Sequence, residues 1–369
     1  MNPKAAPRLA LLLFAALAFI VPDRALAGDS AASVAAGGLV PRHSAHIVLA
    51  RETIHISDKT VVVDYDFRND SGARITTEVS FPVPPYKNGW DAMDPAIQSF
   101  RALRIWVDGN PVNYLTEAKA YLNDRDISKT LQADRIDIPS FGHLEIGRDQ
   151  HSAKYRIAVP DFLLLPERER HRLQHEGIFS GGEGYSLYAV HLQYHWTQTF
   201  PAHSTVHIRQ EYAPVVGFMQ IQPRSGAFQA APLSVSRQTG GKNLSPSPAE
   251  AASLLDSFCT DTSLFDGMSR AKIESVNSEN AIDPRWVDFT LTSANAWQKP
   301  IEDFTLIVER PQPKEGRQTL ISFCSPGKVE KPDADHLKIH LTKFVPEAEL
   351  HIGFFDLPKE TPALSSAMR

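Results

Sequence analysis

The chain has 369 residues, 42% hydrophobic and 22% charged, a balance that builds globular cores and argues against both a disordered chain and an integral membrane bundle. Lys and Arg total 38 against 43 Asp and Glu, a net charge of −5, so no basic excess is available to neutralise phosphates and nucleic acid is not an expected partner. Two cysteines are too few for a zinc cage or a disulfide-dense miniature fold.

Residues 1–27 carry a targeting pattern. Lys4 and Arg8 supply a positive start, Leu9 to Val21 an apolar run, and Ala25-Leu26-Ala27 the small residues of a cleavage site. The run of about 13 residues is too short to cross a hydrocarbon layer of about 30 Å as a helix. The expectation is a secretory signal cut after Ala27, leaving a periplasmic or secreted chain with no membrane span. A buried N-terminal helix is the plainer alternative.

Strand signals dominate the rest. Thr60 to Phe67 alternates, with Val61, Val63, Tyr65 and Phe67 on one face. Asn69-Asp70-Ser71-Gly72 predicts a turn, and Ile75 to Phe81 a strand returning as its hairpin partner. A proline-broken loop follows over 82–95, carrying Tyr86 and Trp90. Asp108-Gly109-Asn110-Pro111 predicts a second tight turn. Leu163 to His175 reads as a helical insertion near 163–177, with Pro166 near its start and Glu167 and Glu169 in its first turn. Strands return at Tyr188 to Trp196 and Thr205 to Tyr212. The Gly- and Ser-rich stretch 238–247 reads as a linker between an N-terminal β-rich lobe (28–237) and a C-terminal one (248–358), with 359–369 as a flexible tail.

The two parts echo each other. Val63 to Phe67 precedes the Asn69 turn, with Phe200-Pro201 ahead of Val206 to Ile208. Val287 to Leu291 precedes an Asn295 turn, with Pro346 ahead of Leu350 to Ile352. Repetition and coincidence both produce such an echo. The fold expected is mainly β, with antiparallel β-sandwich-like lobes, a short helical insertion and few peripheral helices.

Gly37-Gly38-Leu39-Val40, Phe67-Arg68-Asn69 and Phe81-Pro82-Val83-Pro84 resemble the opening of a secreted bacterial family known as domain-of-unknown-function family 4424. The resemblance continues in Tyr194 to Ala202, Tyr212-Ala213-Pro214 with Gly217, Thr292 to Trp297 with Pro300-Ile301, and Ser322-Phe323-Cys324. It implies localisation and boundaries, and no activity. A fold-level likeness to VIT-type β domains, through the asparagine turn and Phe-Pro-x-Pro, transfers no function.

Chemistry-bearing motifs are sparse. Among 14 histidines, His171/His175, His191/His195, His203/His207 and His336/His340 share i, i+4 spacing. On a helix that spacing sets two imidazoles roughly 6 Å apart, within reach of one metal. In a strand it sets them about 13 Å apart. Only His171/His175 reads as helical, and Arg168, Arg170 and Arg172 crowd it with positive charge, so neither metal nor cofactor is expected. No Gly-x-Ser-x-Gly elbow is present. Ser180-Gly181-Gly182-Glu183-Gly184 lacks the Lys-Ser/Thr of a phosphate loop. Asp64 and Asp66 read as a solvated sheet face. Tyr86, Trp90 and Trp297, expected on loops, are the candidate contacts for a ligand or partner, though each ring can also pack beneath its own loop. Trp106, Trp196 and Trp286 fall in strands and read as core. In an oxidising compartment Cys259 and Cys324 are expected to form a disulfide. The function expected is a non-enzymatic binding or scaffold module of the envelope, its partner a protein, peptide or glycan. The alternative is an envelope hydrolase whose site assembles only in three dimensions.

Overall fold

The computed structural model describes residues 36–37, 39–41, 46–87, 103–139, 143–149, 152–159, 161–181, 186–214, 216–218, 221–224, 227–230, 256–260, 283–297, 299–313 and 315–358. Residues 1–27, expected to be a signal, Trp90, the expected linker at 238–247 and the expected tail at 359–369 lie outside them.

In chain order the strands are β1 (Ala36–Gly37), β2 (Val40–Pro41), β3 (Ile47–Ile56), β4 (Val61–Asn69), β5 (Ile75–Lys87), β6 (Arg104–Val107), β7 (Asn110–Pro111), β8 (Leu115–Leu122) and β9 (Arg125–Asp126). Helix α1 (Ser128–Ala133) leads to β10 (His143–Asp149) and β11 (Ser152–Val159), then α2 (Asp161–Leu164) and α3 (Glu167–His175). There follow β12 (Ala189–Phe200), β13 (Thr205–Tyr212), β14 (Gly217–Phe218), β15 (Ile221–Arg224), β16 (Ala227–Ala230) and β17 (Asp283–Thr290). A 3-10 helix (Leu291–Ala296) then leads to β18 (Ile301–Glu309), β19 (Arg317–Ser322), β20 (His336–Phe344) and β21 (Leu350–Pro358). The architecture is mainly β and largely antiparallel, with few helices.

A seven-stranded sheet, β20-β18-β3-β4-β13-β6-β7, faces a five-stranded one, β2-β5-β12-β8-β9. Alternation in β4, β12 and β13 buries every second side chain, which is what a strand with one face on a core requires. Phe67 of β4 meets Phe200 of β12 at 6.1 Å between rings, and Phe81 of β5 meets Tyr212 of β13 at 5.4 Å, so the two inner faces interdigitate. A third sheet, β1-β17-β21-β19 with β14 also on β17, carries Phe289 and Ile352 into the same apolar cluster.

Strands from both sides of residues 238–247 share one sheet: β18 runs parallel beside β3, Leu306 opposite Ile54, and β20 closes the edge. Residues 36–37 and 39–41 stitch further. β1 pairs with β17, β2 pairs with β5, and buried Leu39 between them accepts the Trp297 indole N–H at 2.7 Å. The expected lobes are therefore interleaved through shared sheets.

The Asn69 turn is not a hairpin. β4 pairs with β3 and β13, whereas β5 pairs with β12 and β2 in the facing sheet. The chain turns a corner there, and Asn69 holds it. Its fully buried side chain donates to the carbonyls of Ala73 (2.8 Å) and Phe200 (3.0 Å) and accepts from the Ser71 N–H (3.0 Å). The corner between β12 and β13 stacks alongside, with Asn69 N–H on the Ser204 carbonyl. The same device recurs where the sequence echoes: Asn295 donates to the Pro346 carbonyl at 2.9 Å. Asn69→Ala strands the Phe200 carbonyl without its side-chain partner and is expected to cost about 2 kcal/mol, measured by denaturant unfolding.

Asp108-Gly109 forms the expected tight turn between β6 and β7, both residues at positive φ (48° and 79°). Trp196 and Trp286 are core. Trp106 is not: it stands half-buried on the outer face with Arg104 over its ring at 5.6 Å. Gly217 admits no side chain, since a Cβ there would lie 2.1 Å from the Trp286 ring. Cys259 and Cys324 form a disulfide that ties the segment 256–260 to the end of β19.

Candidate functional site

Pro82 and Pro85 of the run Phe81-Pro82-Val83-Pro84-Pro85 line the site. Proline cannot donate to a strand ladder, so it concentrates at bulges and edges. Between Val190↔Tyr86 and Leu192↔Val83, β12 advances two residues while β5 advances three. The resulting bulge opens a cleft of about 360 Å³, lined by Pro82, Val83, Pro85, Glu117, Lys119, Tyr121, His191, Leu192, Gln193, Thr290 and Ser293.

Register explains the cleft's chemistry. On the face of the sheet away from the core, His191 stands directly opposite Lys119, and Gln193 opposite Glu117. These four polar side chains form a tile, and Tyr121 extends it, its ring 4.5 Å from that of His191. Thr290 and Ser293, at the end of β17 and in the 3-10 helix, bring hydroxyls from the third sheet.

Glu117 and Lys119 pair at 2.7 Å. The lysine holds the Glu117 carboxyl below its ordinary range, and the carboxylate pushes the Lys119 ammonium up. Both are charged at neutral pH and offset each other. The tile is thus nearly neutral, rich in donors and acceptors, and flanked by an aromatic face. His195, two residues beyond Gln193 on the same face, contacts Glu78 at 3.3 Å and lies outside the lining.

The aromatic candidates divide. Tyr86 falls in β5 opposite Val190, at the bulge. Trp90 lies outside the described residues. Trp297 is corrected: it is 3% exposed, inserted beside Phe67 at 4.2 Å and tied by its N–H to Leu39. The turn expected to display it instead turns it inward, where its indole packs on Phe67 and satisfies the carbonyl of buried Leu39.

Asp64 and Asp66 are bound into an ion-pair row with Arg51, His207 and Arg209 across three strands. On α3, His171 is exposed and contacts Glu167 at 3.4 Å. Another group comes together that no spacing rule anticipates. His55, Glu309 and His336 meet on the outer face of β3, β18 and β20. Their separation in sequence hides them; only the parallel β3–β18 pairing joins them.

Among the described residues no helix is long and apolar enough to cross a membrane. No curated protein matches the chain. Among solved structures it is similar to a crystal structure from Legionella pneumophila subsp. pneumophila str. Philadelphia 1, called a "putative nutrient binding protein". The two share 15% identity over 89% of this chain and 72% of that one, with a TM-score of 0.38. A family model described as "Domain of unknown function (DUF4424)" matches residues 27–352. With nearly the whole β framework inside that match, the chain belongs to the DUF4424 family.

Proposed function

We propose that the protein is an exported, non-enzymatic binding module of the cell envelope, and that the cleft at the Pro82–Pro85 bulge holds its ligand, a peptide or glycan. The observation that carries this reading is the tile of Glu117, Lys119, His191 and Gln193 beside Tyr121. Paired donors and acceptors next to an aromatic face suit the hydroxyls and ring faces of a sugar or the amides of a peptide. Tyr86, at the bulge, and Trp90, four residues further along the chain, are proposed as rim contacts.

Export is supported by the pattern in residues 1–27 and by the Cys259–Cys324 disulfide, which belongs to an oxidising compartment. Cleavage after Ala27 predicts a mature chain beginning at Gly28, read by N-terminal sequencing. A mature chain that keeps Leu9 to Val21 would overturn that localisation.

The hydrolase alternative asks for a poised acid and base. Glu117 is the carboxylate among the lining residues described, and its pairing with Lys119 favours binding over proton transfer.

Titration against a panel of soluble oligosaccharides and short peptides tests the proposal. Tyr121→Ala and Gln193→Ala are each expected to weaken the ligand found at least tenfold, about 1.4 kcal/mol, with His195→Ala near wild type. Equal affinity in all four proteins would move the site elsewhere. Cleavage of the ligand during incubation, seen by mass spectrometry, would favour the hydrolase.

A further inference from the structure

On the outer face of the seven-stranded sheet, away from the cleft, three strands deliver metal-ligating groups to one point. Glu309 of β18 stands directly opposite His336 of β20. On the other side of β18, His55 of β3 lies opposite Ile307, one same-face position back from Glu309. A nitrogen of each imidazole and an oxygen of Glu309 all lie within 4.8 Å of one another. His55 Nε2 already sits 3.1 Å from Glu309 Oε2, and the two rings are 5.9 Å apart.

We propose that His55, Glu309 and His336 form a binding site for a divalent transition metal of the zinc class. Two imidazoles and one carboxylate make up a common three-ligand set for zinc, with a fourth position left for solvent. Ligand atoms around a tetrahedral zinc lie roughly 3.3 Å apart for bonds of about 2.0 Å. One pair is therefore at that spacing already, and small side-chain rotations bring in the third.

Two further features point to a ligand. His55 Nε2 is buried at the atom level and meets Glu309 Oε2 at 3.1 Å without well-formed hydrogen-bond geometry, so its bonding capacity is poorly used where the cluster converges. His336 commits Nδ1 to the Asp333 carboxylate at 2.8 and 2.9 Å, which leaves Nε2 to offer its lone pair. A carboxylate behind an imidazole in this way is the usual second-layer partner of a metal-bound histidine.

The charge environment differs from that of the arginine-crowded helix α3. Arg310, next to Glu309, directs its guanidinium to the carbonyls of Ala334 and Thr319. Lys338, on the same face of β20 as His336, is the cation the site must accommodate, and its backbone is held by pairing with Glu330. His340, on that face two residues beyond Lys338, is engaged by Asp303 at 2.9 Å and is not a member of the cluster.

The mature chain is stripped with chelator and titrated with Zn²⁺ by calorimetry, and with Co²⁺ while its visible absorption is recorded. One ion per chain is expected, with a cobalt spectrum showing nitrogen and oxygen ligation. His55→Ala and His336→Ala should each lower affinity at least tenfold and abolish the cobalt band. Asp333→Asn should weaken binding about tenfold with the band retained. His171→Ala and His340→Ala should bind as the unaltered chain does. All five positions are exposed or half-buried, and metal-free melting curves show whether each variant is folded; should His55→Ala fail to fold, Glu309→Gln replaces it. Absence of saturable binding, or binding undisturbed by His55→Ala, Glu309→Gln and His336→Ala, overturns the proposal. Neither result bears on the cleft.

Discussion

Glu52→Gln is expected to raise the melting temperature at pH 8 and to leave it almost unchanged at pH 5. Glu52 lies on the core-facing side of β3, 1% exposed, directly opposite Tyr65 of β4, and its Oε2 has no hydrogen-bond partner. Burial alone pushes its carboxyl from an ordinary 4.5 up to about 8. Between those values the folded protein keeps the proton and the unfolded chain releases it. Wild-type stability is therefore full below about pH 4.5 and declines as pH rises toward 8. Gln has the shape of the protonated acid and does not titrate, so the gap between variant and wild type opens with pH.

Each pH unit of that window is worth about 1.4 kcal/mol, so several kcal/mol separate the two proteins at pH 8. For a chain of this size that corresponds to several degrees or more in Tm. Melting curves from pH 5 to pH 8.5 read it out, and a difference independent of pH would contradict the assignment. Burial, with the Glu52 carboxylate added, also raises the Tyr65 hydroxyl, so the pair shuns charge together.

Reduction of the disulfide, or Cys324→Ser, is the second large effect expected. The bond closes a loop of 65 residues, and releasing it frees the unfolded chain by roughly 4 kcal/mol on the loop-entropy account. Part of the junction survives without it. Phe258 stays buried between Trp286 and Phe355, and Ser322 still donates to the Phe258 carbonyl at 2.9 Å. The expected outcome is a chain that still folds, with a Tm many degrees lower, its unfolding measured with and without reductant. A Tm unmoved by reductant would mean that the apolar contacts alone hold the segment.

Local chemistry was the legible part of the sequence. Asp-Gly in a two-residue turn predicts itself through its positive φ requirement, and alternation in β12 already assigns His191, Gln193 and His195 to one face. Pairing partners were not legible. Asn69 signals a turn equally well for a hairpin or for a corner between sheets, and only its buried bonds to Ala73 and Phe200 decide. The cleft's other half, Glu117, Lys119 and Tyr121, carries no pairing signal in its own sequence, so nothing local announces that it lies against His191. Trp297 beside a turn looks displayed because the sequence does not show Leu39 arriving from the far end of the chain. The His55, Glu309 and His336 group is hidden for the same reason: a parallel pairing across most of the chain leaves no spacing signature.

The most direct test of the cleft as the ligand site is hydrogen–deuterium exchange of the protein, with and without saturating amounts of the tightest ligand from the oligosaccharide and peptide panel. Slower exchange is expected at the amides of Val83 and Tyr86 in β5, in residues 115–121 and in residues 189–193, with the outer face of β3 and β18 unchanged. Saturable binding that protects other segments and leaves these three unaltered would contradict the account.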